Sequence, residues 1–335
     1  MENLVSVIIP NRNGAGTIAN CLAAAAASHH GNFEIIVVDD HSEDESIEVI
    51  QRHSCKLVRL DRHGGAARAR NAGANHSRGQ ILFFTDADCL MQPDTLGLAA
   101  ATLAHEGPDA IIGGTYTTAP YDRRFFSRFQ SIFIHHFETR HAPATDYIAT
   151  HALAMDASVF RRNRGFAEEL RPILEDVEFS HRLRRAGCRL VMNPAILVQH
   201  VFNYSLSRSL RNAFVKSLHW TAYAIGNRDL LADSGTASVG LKLNVLIFAG
   251  NAALLAASAL TGKSVLLAFI TLALAFDLYV NRGLLLAYHR AEGPGFALMA
   301  ALYYLLLYPL AVGAGAAAGL LRYFFSGTAQ PREQR

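Results

Sequence analysis

Apolar and β-branched runs alternate with helix-like stretches over the first third of the chain. Four short runs have the length and composition of strands, and three helix-like segments separate them. The strand-like runs are Val5–Ile9, Glu34–Val38, Lys56–Leu60 and Ile81–Thr85, and the helix-like segments are Ala15–Ala27, Glu43–His53 and Ala66–Ser77. Because strands that alternate with helices are typical of parallel βαβ units, the pattern predicts an α/β domain.

The last third of the chain carries three long apolar stretches instead. Leu243–Gly262 has no charged residue, Ser264–Asn281 has only Asp277, and Gly293–Leu321 has none. About twenty predominantly apolar residues span the core of a bilayer. We therefore predict two or three transmembrane helices, with three preferred. A set of buried helices in a large soluble core is the alternative.

These patterns divide the chain into four parts. We predict a catalytic α/β domain over residues 1–205, an amphipathic interfacial region over 206–240, transmembrane helices over 241–327 and a tail over 328–335. No signal peptide is expected, because the chain opens on a strand-like run. The predicted protein is a multi-pass protein of the cell (inner) membrane with a cytosolic catalytic domain. The last apolar stretch either crosses once or folds back at Pro309.

Composition and charge exclude several classes of protein. Half of the residues are hydrophobic (51%) and 18% are charged, which rules out a disordered chain. The net charge of +3 comes with no basic stripe in the α/β region, so nucleic acid is not an expected partner. Four scattered cysteines fit neither a disulfide framework nor a zinc ribbon. The basic excess lies beside the apolar stretches, as is typical of residues that flank a bilayer.

Polar side chains follow the first, second and fourth predicted strands, at the point where each strand ends. These clusters are Pro10–Gly14, Asp39–Asp44 and Asp86–Asp88. The carboxyl ends of parallel strands meet at one edge of a sheet, where open α/β folds bind ligands. Asp86 and Asp88 can face one hard cation, which prefers oxygen ligands. Such a metal would neutralise the charge that develops on a leaving diphosphate.

Taken together, the motifs resemble family 2 glycosyltransferases of GT-A fold. They are Val7–Pro10 (VIIP), Val37–Ser42 (VVDDHS), Gly65–Gly73 (GAARARNAG), Asp86–Asp88 (DAD), Gly165–Phe166, Glu175–Phe179 (EDVEF), Arg182–Gly187 (RLRRAG), Asn193–Pro194 and His200. The resemblance covers roughly residues 4–200 in the order of the family. It implies a mixed, Rossmann-like sheet that binds a nucleotide sugar. It also implies inverting transfer of a hexosyl group from a UDP- or GDP-sugar, helped by Mg²⁺ or Mn²⁺.

The resemblance also implies roles for residues at the first two strand ends. Pro10, Arg12 and Asn13 would line the nucleotide pocket. Asp40 would recognise the base or the ribose, with Asp39 beside it. Each of these clusters alone could equally be a turn or a helix cap.

The remaining donor and metal residues follow from the same resemblance. Arg70 would approach the nucleotide or the diphosphate. Asp88 would be the main metal ligand, and Asp86 would hold the sugar or the ribose side and join the metal set. His200 would complete the metal site or contact the diphosphate. The alternatives are a solvated helix face for Arg70 and a packing role for His200.

A carboxylate pair supplies the candidate base. A sugar hydroxyl is a poor nucleophile until a base takes its proton. Asp176 matches the base position of the family, with Glu175 as the second candidate. The alternative is a helix N-terminus, where acidic residues favour the macrodipole.

Processive members of the family carry a Q-x-x-R-W motif, and the nearest match here is Lys216–Trp220. Trp220 could stack on an acceptor sugar, or it could anchor an amphipathic helix over Leu210–Leu231 at the membrane. We prefer the anchor, and the loss of Gln and Arg from the motif disfavours a processive enzyme. The sequence thus predicts a non-processive glycosyltransferase that adds one sugar to a lipid or lipid-linked acceptor. A polyprenyl-phosphate glycosyltransferase and a non-catalytic membrane scaffold are the alternatives.

Overall fold

The predicted alternation of strands and helices is present in the computed structural model, which describes residues 3–169 and 173–326. Eight strands form one sheet. They are β1 (Val5–Asn11), β2 (Phe33–Asp39), β3 (Lys56–Arg59), β4 (Ile81–Phe84), β5 (Cys89–Met91), β6 (Ala110–Tyr116), β7 (Leu153–Asp156) and β8 (Arg189–His200). The helices along this part of the chain are α1 (Ile18–Ala26), α2 (Ser46–Ile50), α3 (Ala66–Asn75), α4 (Thr95–Glu106), α5 (Phe125–Thr139), α6 (Ala157–Arg162) and α7 (Glu175–Arg185).

The sheet is mixed, with the strand order β3-β2-β1-β4-β7-β6-β8-β5. The first four strands in that order are parallel, which confirms the βαβ prediction. Strand β7 runs antiparallel to both β4 and β6, β8 runs parallel to β6, and β5 pairs antiparallel with β8. The carboxyl ends of β1, β2 and β4 therefore meet at one edge of the sheet, as the sequence predicts.

The central strands are largely buried. All four residues of β4 are buried, and Phe84 forms an aromatic cluster with Phe160, Phe166 and Phe179. Phe84 ends the strand that leads into Asp86, and Phe179 lies in the second turn of α7. Because aromatic packing fixes both elements, the cluster holds the first turn of α7 and the end of β4 in place.

The described chain divides into two compact units. One consists of residues 3–123, 138–169 and 173–203, and the other of residues 124–137 and 204–326. Besides the first part of α5, the second unit is built from helices α8 (Leu206–Asn227), α9 (Val239–Thr261), α10 (Val265–Val280), α11 (Arg282–Glu292) and α12 (Pro294–Leu302), a π-helical segment (Tyr303–Leu307) and α13 (Tyr308–Ser326).

Helix α8 differs in its bounds from the predicted Leu210–Leu231. It begins at Leu206 because the Ser205 hydroxyl accepts the N–H of Arg208 at 3.3 Å, which is an N-cap. It ends at Asn227 because Arg228 is left-handed, with φ 59°.

In the part of the chain that the structure describes, two helices are long and apolar enough to cross a membrane, Val239–Thr261 and Pro294–Phe325, and a bent pair could supply a third. The predicted crossing over Ser264–Asn281 stays a prediction. Helix α10 has 16 residues, about 24 Å at the usual rise, which is short of a bilayer core of about 30 Å. It qualifies only together with α11, from which it is bent by 63°. The Asn281 amide at this bend donates to the buried Asp277 at 2.7 Å.

The last apolar stretch does not fold back at Pro309, because residues 294–325 form one helix. A proline inside a helix clashes with the preceding turn. Here the π-helical segment Tyr303–Leu307 lies directly before it and widens that turn. Two glycines of α13 serve packing. A Cβ at Gly315 or Gly319 would lie 2.3 or 2.4 Å from a carbonyl oxygen of α8, so these glycines let the two helices approach closely.

Candidate active site

The loops that follow β1 and β2 are tied together by Asp39. The buried Asp39 carboxylate accepts the Asn11 amide at 3.1 Å and the Ser42 hydroxyl at 2.5 Å through one oxygen. Its other oxygen accepts the Ser42 N–H at 3.0 Å. Through these bonds Asp39 holds the loops after β1 and β2 together at the edge of the sheet. The predicted role of Asp39 beside the nucleotide stays a prediction.

The predicted nucleotide-pocket residues lie along the same edge. Asn13 is left-handed, with φ 51°, and its side-chain oxygen accepts the N–H of Glu43 at 2.8 Å. Pro10 is half-buried in β1, just before Asn11. Arg12 is exposed, and among the described residues it makes no hydrogen bond or ion pair. A cationic side chain in that position can meet an anionic ligand without first breaking a bond.

Asp40 organises the turn before α3. One oxygen of its buried carboxylate accepts the N–H of Gly64 at 2.6 Å. The other accepts the N–H of Gly65 and the Nδ1–H of His63, each at 2.7 Å. Gly65 has φ 85°, a conformation that disfavours side chains, so the sequence uses glycine there. Asp40 thereby positions His63, which sequence reasoning did not single out.

Arg70 joins two carboxylates that are far apart in the sequence. Its guanidinium donates to Glu175 Oε1 at 2.6 Å and to Asp86 Oδ1 at 2.7 Å, and only 4% of its side chain is exposed. Burial alone would raise the pKa of Asp86, but the charge and hydrogen bond of Arg70, together with the charges of His151 and His200, outweigh burial and lower that pKa. The bridge therefore keeps Asp86 ionised and fixes the end of β4 to the start of α7.

Asp176 lies beside this bridge, in the first turn of α7. Glu175, Asp176 and Glu178 all fall in that turn, where the helix N-terminus favours negative charge. The preceding Leu174 has φ 84°, a strained conformation for a leucine, and such strain occurs often at functional sites. The Asp176 carboxylate accepts the N–H of Val177 at 2.8 Å. Its charge also helps to raise the pKa of Arg70.

The carboxylate, thiol and imidazole of Asp88, Cys89 and His200 form a cluster that could hold a metal ion. Their ligand atoms all lie within 4.8 Å of one another. Asp88 lies 3.5 Å from His200 Nε2 and 3.8 Å from Cys89 Sγ. Although 41% of the Asp88 side chain is exposed, desolvation by the packed protein around its carboxylate and the charge of Asp86 raise the pKa of Asp88 to about 7. A donor set of this kind fits a divalent metal.

The structure thus brings Asp88 and His200 together, as the sequence predicts, and adds Cys89. Asp86 is not one of these three ligands among the described residues, since its contact is with Arg70. Sequence reasoning missed Cys89 although it adjoins Asp88. The signal that could have found it is the strand pairing, because Cys89 lies directly opposite His200 in the antiparallel β5–β8 pair.

Sequence reasoning also missed a buried pair, Glu138 and His151. His151 Nε2 lies 3.4 Å from the Glu138 carboxylate, which also accepts the hydroxyl of Thr115 at 2.7 Å. Burial by itself would lower the pKa of His151, whereas Glu138, with Asp86 and Asp176, raises it. The His151 backbone oxygen accepts the hydroxyl of Thr85, next to Asp86, at 2.9 Å. No motif pointed to this pair, because it depends on contacts between distant segments.

Trp220, the remaining predicted site residue, belongs to the second unit. It lies half-buried in α8. Its predicted part in holding an acceptor or anchoring the helix stays a prediction.

The comparisons with known proteins agree with this geometry. Residues 6–163 match the family model described as Glycosyl transferase family 2. Glycosyltransferase AglE of Haloferax volcanii is 33% identical over 134 residues, which are 38% of this chain and 44% of that protein. Glycosyltransferase GlyG of Streptococcus pneumoniae serotype 4 is 27% identical over 131 residues, again 38% and 44%. The chain therefore spans less than half the length of these curated relatives.

A solved structure extends the likeness to most of the chain. The mannosyltransferase PcManGT from Pyrobaculum calidifontis, in complex with GDP-Man and Mn²⁺, matches with a TM-score of 0.59 at 19% identity. The match covers 97% of this chain and 88% of that one. At this identity the likeness concerns the fold alone. The mixed-sheet domain thus has the fold of the GT-A glycosyltransferases.

Proposed function

We propose that this protein is a membrane-anchored, metal-dependent, inverting glycosyltransferase. It moves one sugar from a UDP- or GDP-sugar to a lipid or lipid-linked acceptor at the cytosolic face of the cell membrane. The observation that carries the proposal is the Arg70 bridge, which fixes Asp86 and Glu175 beside Asp88 and Asp176 at one edge of a GT-A sheet. A GT-A relative that binds GDP-Man and Mn²⁺ supports the donor class.

The side chains divide the chemistry of sugar transfer between them. Asp176 matches the base position of the family and lies in the first turn of α7, beside the Arg70–Glu175 bridge, so we assign it as the base that takes the proton of the acceptor hydroxyl. Arg12, exposed at the sheet edge, is available to hold the nucleotide phosphates. Asp88 and His200 would hold a Mg²⁺ or Mn²⁺ ion. When bound, that metal supplies positive charge for the departing diphosphate.

The helices of the second unit support a lipid acceptor. Val239–Thr261 and Pro294–Phe325 have the length and composition of membrane spans, and many of their large apolar side chains are exposed. Exposed leucine and phenylalanine in such numbers are unfavourable in water and favourable in lipid. An enzyme held at the bilayer meets its acceptor there, and nucleotide sugars are made in the cytosol.

A transfer assay with radiolabelled UDP- and GDP-sugars and a membrane lipid extract tests this function. Asp176→Asn should lower turnover by a factor on the order of 10²–10⁴, the usual contribution of general base catalysis, and leave nucleotide binding intact. Glu178→Gln, in the same helical turn but paired with Arg182, is the matched control and should keep most of the turnover. Label that enters no lipid with any donor would contradict the proposal.

Removal of the metal tests the second part of the function. Asp88→Asn should abolish transfer in a protein that still folds and inserts, and EDTA should do so reversibly. Full activity in EDTA would refute the metal requirement.

The polyprenyl-phosphate glycosyltransferase remains the second candidate, because its acceptor is a phosphate. A phosphate acceptor is already anionic and needs no base, so near-normal turnover of Asp176→Asn would favour it. The non-catalytic scaffold is the third candidate. It predicts neither transfer nor hydrolysis of any nucleotide sugar.

A further inference from the structure

We propose that Cys89 is a metal ligand, and that Asp88, Cys89 and His200 form a three-residue centre that binds Zn²⁺ through a carboxylate, a thiolate and an imidazole. The inference deepens the proposed function, since it concerns the same metal site. Its test, however, needs no sugar transfer.

Backbone pairing places the thiol next to the imidazole. Cys89 is the first residue of β5 and lies directly opposite His200, the last residue of β8. Directly opposed residues of an antiparallel pair project their side chains to the same face of the sheet. The Val201 N–H donates to the Asp88 backbone oxygen at 2.9 Å and extends this pairing by one residue. The three residues are therefore fixed by the sheet and not by a loose loop.

The separations between the ligand atoms agree with a tetrahedral centre. Zn²⁺ binds sulfur at about 2.3 Å and nitrogen or oxygen at about 2.0–2.2 Å, so two ligands of one ion lie about 3.4–3.6 Å apart. Oδ2 of Asp88 is 3.5 Å from His200 Nε2, and Oδ1 of the same carboxylate is 3.8 Å from Cys89 Sγ. Small side-chain rotations would close the remaining difference.

The donor set determines which metal this centre prefers. Mg²⁺ and Mn²⁺ favour oxygen ligands, whereas a thiolate and an imidazole favour Zn²⁺. The Cys89 thiol is fully buried and donates to Oδ1 of Asp88 at 3.8 Å. Zn²⁺ binds cysteine as the thiolate, so the thiol proton is released to solvent when the metal binds. We therefore expect Zn²⁺ to displace Mn²⁺ from the centre.

Cobalt substitution tests the thiolate directly. Co²⁺ added to the whole protein should give the near-ultraviolet charge-transfer band of a cobalt–thiolate bond. Cys89→Ser should remove this band. The controls are Cys21→Ser, which removes another buried thiol near the Asp86 backbone oxygen at 3.5 Å, and Cys55→Ser. Both should keep the band. A wild-type protein without the band, or Cys89→Ser with it, would overturn the proposal.

Two measurements guard against misfolding of the variant. X-ray absorption of the wild-type protein with one equivalent of Zn²⁺ needs no variant, and it should show one sulfur at about 2.3 Å. A first shell of nitrogen and oxygen alone would overturn the proposal. In a competition monitored by the free Mn²⁺ resonance signal, Cys89→Ser should weaken Zn²⁺ binding by about tenfold or more. Unchanged competition would contradict a thiolate ligand.

Discussion

Replacement of Arg70 by methionine should destabilise the protein more than any other single change at the site. The guanidinium makes two charged hydrogen bonds, of 2.6 and 2.7 Å, and is only 4% exposed. Its loss leaves Glu175 and Asp86 without their cation, at side-chain exposures of 10% and 31%. Breaking a buried ion pair by removing one partner costs about 3–5 kcal/mol. For a domain of this size that corresponds to a fall of about 6–20 °C in the midpoint of thermal unfolding.

The assay is thermal unfolding of the whole protein in detergent, beside donor hydrolysis by the same sample. Arg70→Lys keeps the positive charge, but an ammonium group cannot donate to both carboxylates at once as the guanidinium does. Its unfolding midpoint should therefore fall between those of the wild type and Arg70→Met. The triple variant Arg70→Met, Asp86→Asn, Glu175→Gln removes all three charges. It should recover much of the lost stability and remain inactive, because neutral groups of similar size are tolerated where a lone buried charge is not.

An unfolding midpoint of Arg70→Met within about 2 °C of the wild type, a loss of less than about 1 kcal/mol, would contradict a stabilising role of Arg70. A triple variant less stable than Arg70→Met would contradict it as well. In that case the carboxylates would not depend on Arg70 for their burial.

Three further predictions address the helices and the loops. Gly315→Ala should destabilise the second unit by about 1–3 kcal/mol, because its Cβ would lie 2.3 Å from the Phe214 carbonyl oxygen. The control Gly250→Ala has no heavy atom within 4 Å of its Cβ and should not destabilise the unit. Equal unfolding midpoints of the two variants would contradict the close packing. A cysteine at Lys263, in a background without native cysteines, should react with an impermeant thiol reagent on intact cells, and reaction only after the cells are opened would refute an outward first crossing. Hydrogen bonds from Ser46 and Ala15 outweigh burial and lower the pKa of Asp44. Asp44→Asn should therefore cost stability at pH 7, and the difference from wild type should shrink as the pH falls below 3.8; a constant difference would contradict this.

The part of the fold that sequence predicts well is the part with local signals. The strands β1 to β4 are short apolar runs between helices, and their bounds differ from prediction by at most two residues. Strand β6 carries no such signal, because Gly113 and Gly114 interrupt it and glycine is rare in strands. The structure explains both glycines. A Cβ at Gly114 would lie 2.4 Å from the Ile196 carbonyl oxygen of β8, and one at Gly113 would press on Ile148.

In the candidate site, too, motifs predict some features, whereas contacts between distant segments could not be predicted. Motif resemblance places Asp88 and His200 at one site, and the structure brings them within 3.5 Å. Motif resemblance cannot predict the ion pair between Arg70 and Glu175, because 105 residues separate the two and no spacing rule spans that distance. The contact between Glu138 and His151 could not be predicted from the sequence for the same reason. Contacts of this kind follow from packing and not from pattern.

The neighbouring carboxylates Glu175 and Asp176 differ in their contacts, although they are adjacent in the sequence. The resemblance implies that Asp176 is the base, with Glu175 as the second candidate. At 3.6 residues per turn, successive side chains of a helix point about 100° apart, so one cation cannot hold both in the same way. Arg70 binds Glu175, whose side chain is 10% exposed, and this ion pair holds the start of α7 in place. With Asp176 as the proposed base, Glu175→Gln should lower stability and turnover together. Asp176→Asn should lower turnover alone.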